Sequence, residues 1–237
     1  MKFAIIISTY KRDDGNTPFL LKRCLNSISN QLHDDYKIFL IGDRYENNEE
    51  FIEICNTFEN KDKIYFENLN IASERDVFNN KLNIWKFGGV NAVNHAIDIS
   101  KNEGFNYIVR IDHDDFWENN HLKSINDCIE LTNSAFVCTK SKYYGEVLPS
   151  PPSHEKYIEF KPSPGNLVHS SICFDLNQLP LKYRTLGDIK CGVYAADGCL
   201  YLEIAELVEK NNLKSILINE ITCNVESDSF FIRNGRN

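Results

Sequence analysis

The chain has 237 residues, 42% hydrophobic and 25% charged, which is enough apolar material for one α/β domain with a real core. A formal net charge of −8 and a pI near 5.3 exclude a general nucleic-acid binder and a polybasic membrane anchor. No segment approaches the ~20 consecutive apolar residues of a membrane span, so membrane contact is expected to be peripheral at most.

Residues 3–7 form an unbroken apolar run, the pattern of a strand buried on both faces of a parallel sheet. Residues 8–12 leave the strand end, and Pro18 opens a helix in which Leu20, Leu21, Cys24, Leu25 and Ile28 recur at three- and four-residue spacing up to Gln31. Residues 36–41 are a second strand, ending at Gly42-Asp43; 49–58 read as a helix and 63–66 as a short strand. Residues 68–87 mix asparagine, charge and Trp85, and are expected to form a loop insertion. Gly88-Gly89 leads a helix over 90–100, followed by a strand over 105–111, a helix over 119–132 and a strand over 135–138. Residues 145–166 crowd Gly145, Pro149, Pro151, Pro152, Pro162, Pro164 and Gly165 together, too many breakers for a sheet centre; a surface hairpin fits. A strand over 167–174, a helix over 198–211 and a strand over 215–218 complete the pattern. The polar tail 227–237 and the 145–165 excursion are expected to be mobile until a ligand orders them, since they hold little apolar surface to offset ordering entropy. The eight cysteines form no C-x-x-C pair, and no signal peptide opens the chain, so reduced thiols in a cytoplasmic protein are expected.

Alternating strands and helices predict a right-handed, doubly wound, mostly parallel sheet, in which ligands bind beyond the carboxyl ends of the strands. Ser8, Tyr10, Asp43 and the run Asp112-His113-Asp114-Asp115 all fall at such ends. Three carboxylates within four residues store like-charge repulsion that a divalent cation would relieve, and hard carboxylate oxygens suit Mg2+ or Mn2+. Such ions keep open positions for phosphate oxygens, so the cluster points to a nucleotide diphosphate. The plain alternative is a solvated acidic loop.

Four blocks, taken in order, resemble family 2 glycosyltransferases of the GT-A fold. They are Phe3 to Arg12 with the helix Leu21 to Ile28 and Gln31; Lys37 to Asp43; Gly88 through Ala92-Val93-Asn94-His95-Ala96-Ile97; and Ile111 to Asp115. The match covers roughly residues 3–140. Two departures stand out: Gly42 replaces the first aspartate of a pair, and Val93 replaces an arginine expected beside the nucleotide base. The resemblance implies a single GT-A domain over 1–237, with a nucleotide-sugar-binding half (1–118) and an acceptor-binding half (119–237). It implies metal-dependent, inverting transfer of a sugar from a nucleotide-diphosphate donor, UDP-sugar favoured, to a glycan, lipid-linked or other hydroxyl acceptor. Donor-binding candidates are Ser8, Tyr10, Asp43, Asn94, Asp112 and Asp115; the metal, Mn2+ or Mg2+, falls to Asp114 alone or to Asp112 with Asp114. Tyr10 would stack on the base or serve as a core aromatic, and Asp43 would accept from a base N–H.

Beyond residue 140 the resemblance thins. Asp197, in Ala195-Ala196-Asp197-Gly198, stands in the slot of the catalytic base, with a helix N-cap as the plain alternative. His169 is either an ordinary packed histidine or an acceptor or phosphate contact. Rival activities fit less well. A D-x-D phosphatase needs its nucleophile near the first strand and a hydroxyl where Phe116 stands; a sugar nucleotidyltransferase needs a glycine-rich loop that residues 8–12 do not provide. A non-catalytic sugar-nucleotide or glycan-binding domain would keep the fold and do without Asp197.

Overall fold

A computed structural model describes residues 1–78, 81–185 and 194–225. The chain runs β1 (Phe3–Thr9), α1 (Thr17–Ser29), β2 (Tyr36–Gly42), α2 (Asn48–Asn56), β3 (Ile64–Asn68), α3 (Ser73–Val77), α4 (Lys81–Phe87), α5 (Val90–Asn102), β4 (Tyr107–Arg110), β5 (Phe116–Trp117), α6 (His121–Thr132), β6 (Phe136–Tyr143), β7 (Glu146–Leu148), β8 (Tyr157–Glu159), β9 (Ile172–Asp175), α7 (Ala196–Lys210) and β10 (Ser215–Val225).

The sheet order is β3-β2-β1-β4-β9-β6-β10-β5. β3, β2, β1 and β4 are mutually parallel, β6 and β10 are parallel to each other, and β9 runs antiparallel to both β4 and β6. Six of these seven central strands therefore share one direction, and the mostly parallel sheet expected from the sequence is present. β1 lies between two parallel partners, so both its faces must be covered, and the apolar run of residues 3–7 is fully buried.

Alternation splits that strand between two cores. Phe3, Ile5 and Ile7 pack with Leu21, Leu25, Phe51, Ile54, Leu122 and Ile125 from α1, α2 and α6. Ala4 and Ile6 face Val93, Ala96 and Ile97 of α5, in a cluster that also holds Leu200 and Ile204 of α7. Each fully buried Ile or Leu contributes about 1.5–3 kcal/mol, and moving β1 by one residue would exchange the two sets. Cys24, Cys55, Cys128, Cys138, Cys173 and Cys223 are buried in these cores as reduced thiols. Burial raises all six thiols, to about 12 at Cys55 and about 11 at Cys128.

Local chemistry sets several boundaries. Pro18 sits in the first turn of α1, and the Thr17 hydroxyl accepts the Arg12 N–H at 2.9 Å. Asn47 caps α2 by accepting the Glu50 N–H. Gly89, at φ 81°, precedes α5, and a Cβ there would stand 3.3 Å from the Ser8 hydroxyl. Glycine thus lets the start of α5 lie against the end of β1. Tyr144 and Gly145, both with positive φ, form the two-residue turn joining β6 to β7, as the hairpin reading of this stretch anticipated.

Three expectations need correction. Among the described residues of 68–87 the stretch is not simply a loop: after β3 come α3 and α4. Helices of five and seven residues are too short to show a 3.6-residue period. The strand expected over 167–174 begins only at Ile172, because His169–Ser171 form a 3-10 turn. β10 extends to Val225 rather than stopping at 218, pairing along its length with β6. The tail 227–237 lies outside the described residues.

Candidate functional site

Because β1, β2 and β4 are parallel and in register, their carboxyl ends share one edge. Thr9 pairs with Gly42, the Asp43 N–H donates to the Thr9 carbonyl at 2.7 Å, and Arg110 pairs with Ile6. The chain leaving β4 thus carries Asp112–Asp115 past the end of β1. Tyr10, Asp43 and the acidic run come together there, as expected. Ser8 lies at the same end beneath Gly89.

The carboxylates are not mutually uncompensated, which corrects the repulsion argument made from the sequence. Arg110, only 1% exposed, donates to Asp112 Oδ1 at 2.8 Å. His169 Nδ1 lies 3.5 Å from Asp112 Oδ2. Burial raises the Asp112 carboxyl, but His169 and Arg110 outweigh it and hold this group well below the usual carboxylate range. Arg12 pairs with Asp114 Oδ2 at 3.1 Å, and Arg23 donates to the Asp114 carbonyl at 2.6 Å. Asp115, 4% exposed, accepts from the Ser170 hydroxyl. Burial, followed by Asp114 and Asp112, pushes its carboxyl well up. Arg110 was visible in the sequence as a charge inside an apolar strand, and a buried arginine demands a carboxylate partner. Arg12, Arg23 and Ser170 carried no comparable signal.

Asp43 is 1% exposed. Arg75 Nε donates to its Oδ2 at 2.8 Å and Arg75 Nη2 to its backbone carbonyl, whereas Asp43 Oδ1 is buried and has no hydrogen-bond partner. Burial raises this carboxyl and Arg75 opposes the rise. The Arg75 guanidinium also lies over the Tyr10 ring, 4.8 Å from its centroid, and His113 meets Tyr10 edge-on at 5.8 Å. Tyr10 is therefore a half-exposed aromatic at the strand edge rather than a core residue.

Asn94 is engaged with the backbone of Tyr183. Its carboxamide donates to the Tyr183 carbonyl at 2.8 Å and accepts the Tyr183 N–H at 2.9 Å, tying α5 to the chain near 183. The Tyr183 hydroxyl meets His169 Nε2. Asp197 is not an N-cap residue: Ala195 holds that position, and Asp197, in the first turn of α7, accepts the Gly198 N–H at 2.8 Å. Burial raises the hydroxyls of both Tyr183 and Tyr201.

The two departures noted in the sequence have local explanations. A Cβ on Gly42 would lie 2.5 Å from the Asn68 carboxamide oxygen, which accepts the Tyr45 N–H at 2.8 Å. Asn68 therefore fills the space an aspartate at 42 would need. Val93, on α5, is buried in the core that α5 shares with β1.

Among the described residues no three His, Cys, Asp or Glu side chains gather closely enough to hold a metal on their own. Asp112 and Asp114 are 40% and 34% exposed at the side chain, and each has one carboxylate oxygen outside its arginine pair. Two hard oxygen donors fit a Mg2+-type ion, which takes its other ligands from phosphate and water. Among the described residues, no helix is long and apolar enough to cross a membrane.

The family model for glycosyl transferase family 2 matches residues 4–191. An uncharacterized glycosyltransferase, R139, of Acanthamoeba polyphaga mimivirus is 32% identical over 232 residues, covering 94% of this chain and 93% of that protein. Residues 1–349 of S. aureus TarS superpose with a TM-score of 0.68 at 16% identity, covering 95% of this chain and 60% of the TarS chain. Similar structures include the same TarS fragment in complex with UDP (TM-score 0.68) and with UDP-GlcNAc (TM-score 0.65, 58% of that chain), each again at 16% identity over 95% of this chain.

Proposed function

We propose, for a chain that belongs to glycosyl transferase family 2 and is a glycosyltransferase, metal-dependent inverting transfer from a nucleoside-diphosphate sugar, UDP-sugar favoured, to a hydroxyl acceptor. One observation carries the donor reading: Tyr10, a buried Asp43 with an unpartnered carboxylate oxygen, and the Asp112–Asp115 run share one strand edge. That edge offers a flat ring for a base, an acceptor for a base N–H and carboxylates at the phosphate end. UDP and UDP-GlcNAc complexes of TarS support a UDP-type donor.

Asp112 and Asp114 would hold the divalent cation, which when bound neutralises charge on the departing diphosphate. The chain's own residues do the rest. Tyr10 and Asp43 orient the base, Arg12 and Arg110 keep the two carboxylates placed, and buried Asp115 with Ser170 fixes the backbone that presents them. Asp197 takes the proton of the acceptor hydroxyl as that oxygen bonds to the anomeric carbon and the bond from that carbon to the diphosphate oxygen breaks. Attack from the side opposite the leaving group inverts the centre. The acceptor, a glycan, a lipid-linked sugar or another hydroxyl, is carried over from the family resemblance alone.

Calorimetry with UDP tests the donor reading. Affinity should require Mn2+ or Mg2+ and fall at least tenfold in Asp114→Ala; equal affinity in EDTA would sink it. Asp197→Asn keeps an acceptor for the Gly198 N–H, so folding and UDP binding should survive while transfer drops about 10²-fold or more. Transfer at the wild-type rate would remove Asp197 from the mechanism.

A further inference from the structure

Two arginines pair with the side chains of the acidic run, and they are held by different rules. Arg110 is buried, and besides Asp112 it donates to the Ile6 carbonyl at 2.5 Å and to the Ile111 carbonyl at 3.3 Å. Releasing Asp112 would leave a buried cation without its counter-charge, so that pair is permanent. Arg12 stands at the strand edge instead, and its fork is divided: Nη1 takes Asp114 Oδ2 at 3.1 Å and Nη2 takes Asp14 Oδ2 at 2.9 Å. When it lets go of Asp114 it still has Asp14.

The backbone on both sides prepares that division. The Arg12 N–H donates to the Thr17 hydroxyl at 2.9 Å and the Arg12 carbonyl accepts the Gly15 N–H at 3.1 Å, which pins this turn to the start of α1. The Asn16 N–H occupies Asp14 Oδ1 at 3.0 Å, leaving Oδ2 to Arg12. Asp114 is placed independently. Arg23 of α1 donates to its backbone carbonyl at 2.6 Å while lying over the Phe116 ring, 4.8 Å from the centroid. The backbone that carries the part-exposed Asp114 carboxylate is thus fixed whether or not Arg12 holds it. Lys11, the neighbouring cation, is committed to Glu50 at 3.1 Å.

Resting on the donor reading above, we propose that Arg12 is an exchangeable counter-ion: it competes with the divalent cation for Asp114 Oδ2 and, once displaced, keeps Asp14 and gives its Nη1 to an oxygen of the diphosphate that arrives with the cation. A guanidinium and a divalent cation cannot share one carboxylate oxygen without facing each other's charge. A diphosphate oxygen between them relieves that repulsion, and guanidinium N–H groups suit it as well as they suit a carboxylate. Arg12 therefore opposes a bare cation and favours one that comes with a diphosphate. The acidic run selects the pair over the free ion.

The test is the binding of two probes, Mn2+ alone by electron paramagnetic resonance and inorganic pyrophosphate in excess Mn2+ by calorimetry, on wild type, Arg12→Gln and Arg12→Lys. Arg12→Gln should bind Mn2+ about threefold more tightly, the worth of a part-exposed ion pair, and pyrophosphate about tenfold more weakly, the worth of a charge-assisted hydrogen bond. Arg12→Lys keeps the charge but cannot span two carboxylates, and should lie between the other two in both measurements. Losses of both probes in Arg12→Gln, or gains of both, would overturn the proposal. So would a lysine variant equal to wild type in both, which would reduce Arg12 to a distant charge. If the glutamine variant fails to fold, the lysine variant carries the same pair of opposite shifts in smaller size. Wild-type protein that binds neither pyrophosphate nor UDP in Mn2+ would defeat the donor reading itself, a result distinct from a wild type that binds both with no dependence on Arg12.

Discussion

The two sides of the sheet build their share of the site by different rules. On the β3-β2-β1-β4 side every pairing is parallel, so consecutive strand ends reach one edge and whatever follows a strand is delivered there. On the β9-β6-β10 side one strand is reversed, and the polar groups arrive from other places: Ser170 and His169 from a 3-10 turn, Asp197 from the first turn of α7. The sides are joined by a few polar contacts. Ser170 accepts the Asp112 N–H at 2.9 Å and donates to Asp115, Trp117 Nε1 donates to the Ser170 carbonyl at 2.7 Å, and His169 bridges Asp112 and Tyr183. Strand order alone locates the first set of residues; the second set depends on tertiary contacts.

Substitutions in each region and at the joint can break that contrast. The largest effect should come at the joint. Arg110→Met removes a buried cation from Asp112, from the Ile6 carbonyl and from the neighbourhood of His169. A broken buried pair costs ~3–5 kcal/mol; Asp112 is part exposed, so about 3 kcal/mol is expected, read by urea unfolding. A loss below ~1 kcal/mol would mean the two sides hold together without it.

The second effect belongs to the β10 side and is a pH dependence. His121 is fully buried, stacks on Trp117 with centroids 4.2 Å apart and shares a 2.7 Å hydrogen bond with Thr222. Burial lowers its pKa from 6.5 to about 3. The unfolded chain therefore binds a proton that the folded one refuses as pH drops below 6.5, and stability falls with pH down to about 3. Between pH 6.5 and 5 the loss should approach about 2 kcal/mol, at ~1.4 kcal/mol per unit. His121→Asn, which can keep a bond to Thr222, should flatten this slope, and an unchanged slope would assign the acid sensitivity elsewhere. The smallest effect belongs to the parallel side. Gly42→Ala pushes a methyl into Asn68 and loosens its hold on Tyr45, costing about 1–2 kcal/mol. A neutral result would show that Asn68 can step aside.

The same contrast explains what could be read from the chain before it folded. The run of residues 3–7, the helix marked by Leu20, Leu21, Cys24, Leu25 and Ile28, and the acidic strand end are local patterns, and each stands where it was expected. Tyr10 and Asp43 met the acidic run because parallel register requires it. Arg75 was missed because it rides on a five-residue helix with no period to detect, and Ser170 because a buried serine looks like any other until its partners are known. Asn94 was placed by analogy at the donor, and nothing in its local sequence announced that its carboxamide also ties to the Tyr183 backbone.

Six of the seven thiols buried among the described residues make the chain its own clock for opening. A maleimide can reach Cys24, Cys55, Cys128, Cys138, Cys173 or Cys223 only when the packing around that residue parts, and the raised thiols react slowly until water enters. Cys223 pairs with Trp117 and Cys24 follows Arg23, which donates to the Asp114 carbonyl, so both lie near the acidic strand end, while Cys55 sits on α2 in the core under the parallel strands. Mapping the label residue by residue over time would rank local openings against global unfolding. A bound nucleotide would then show itself as a delay at two thiols that it never touches.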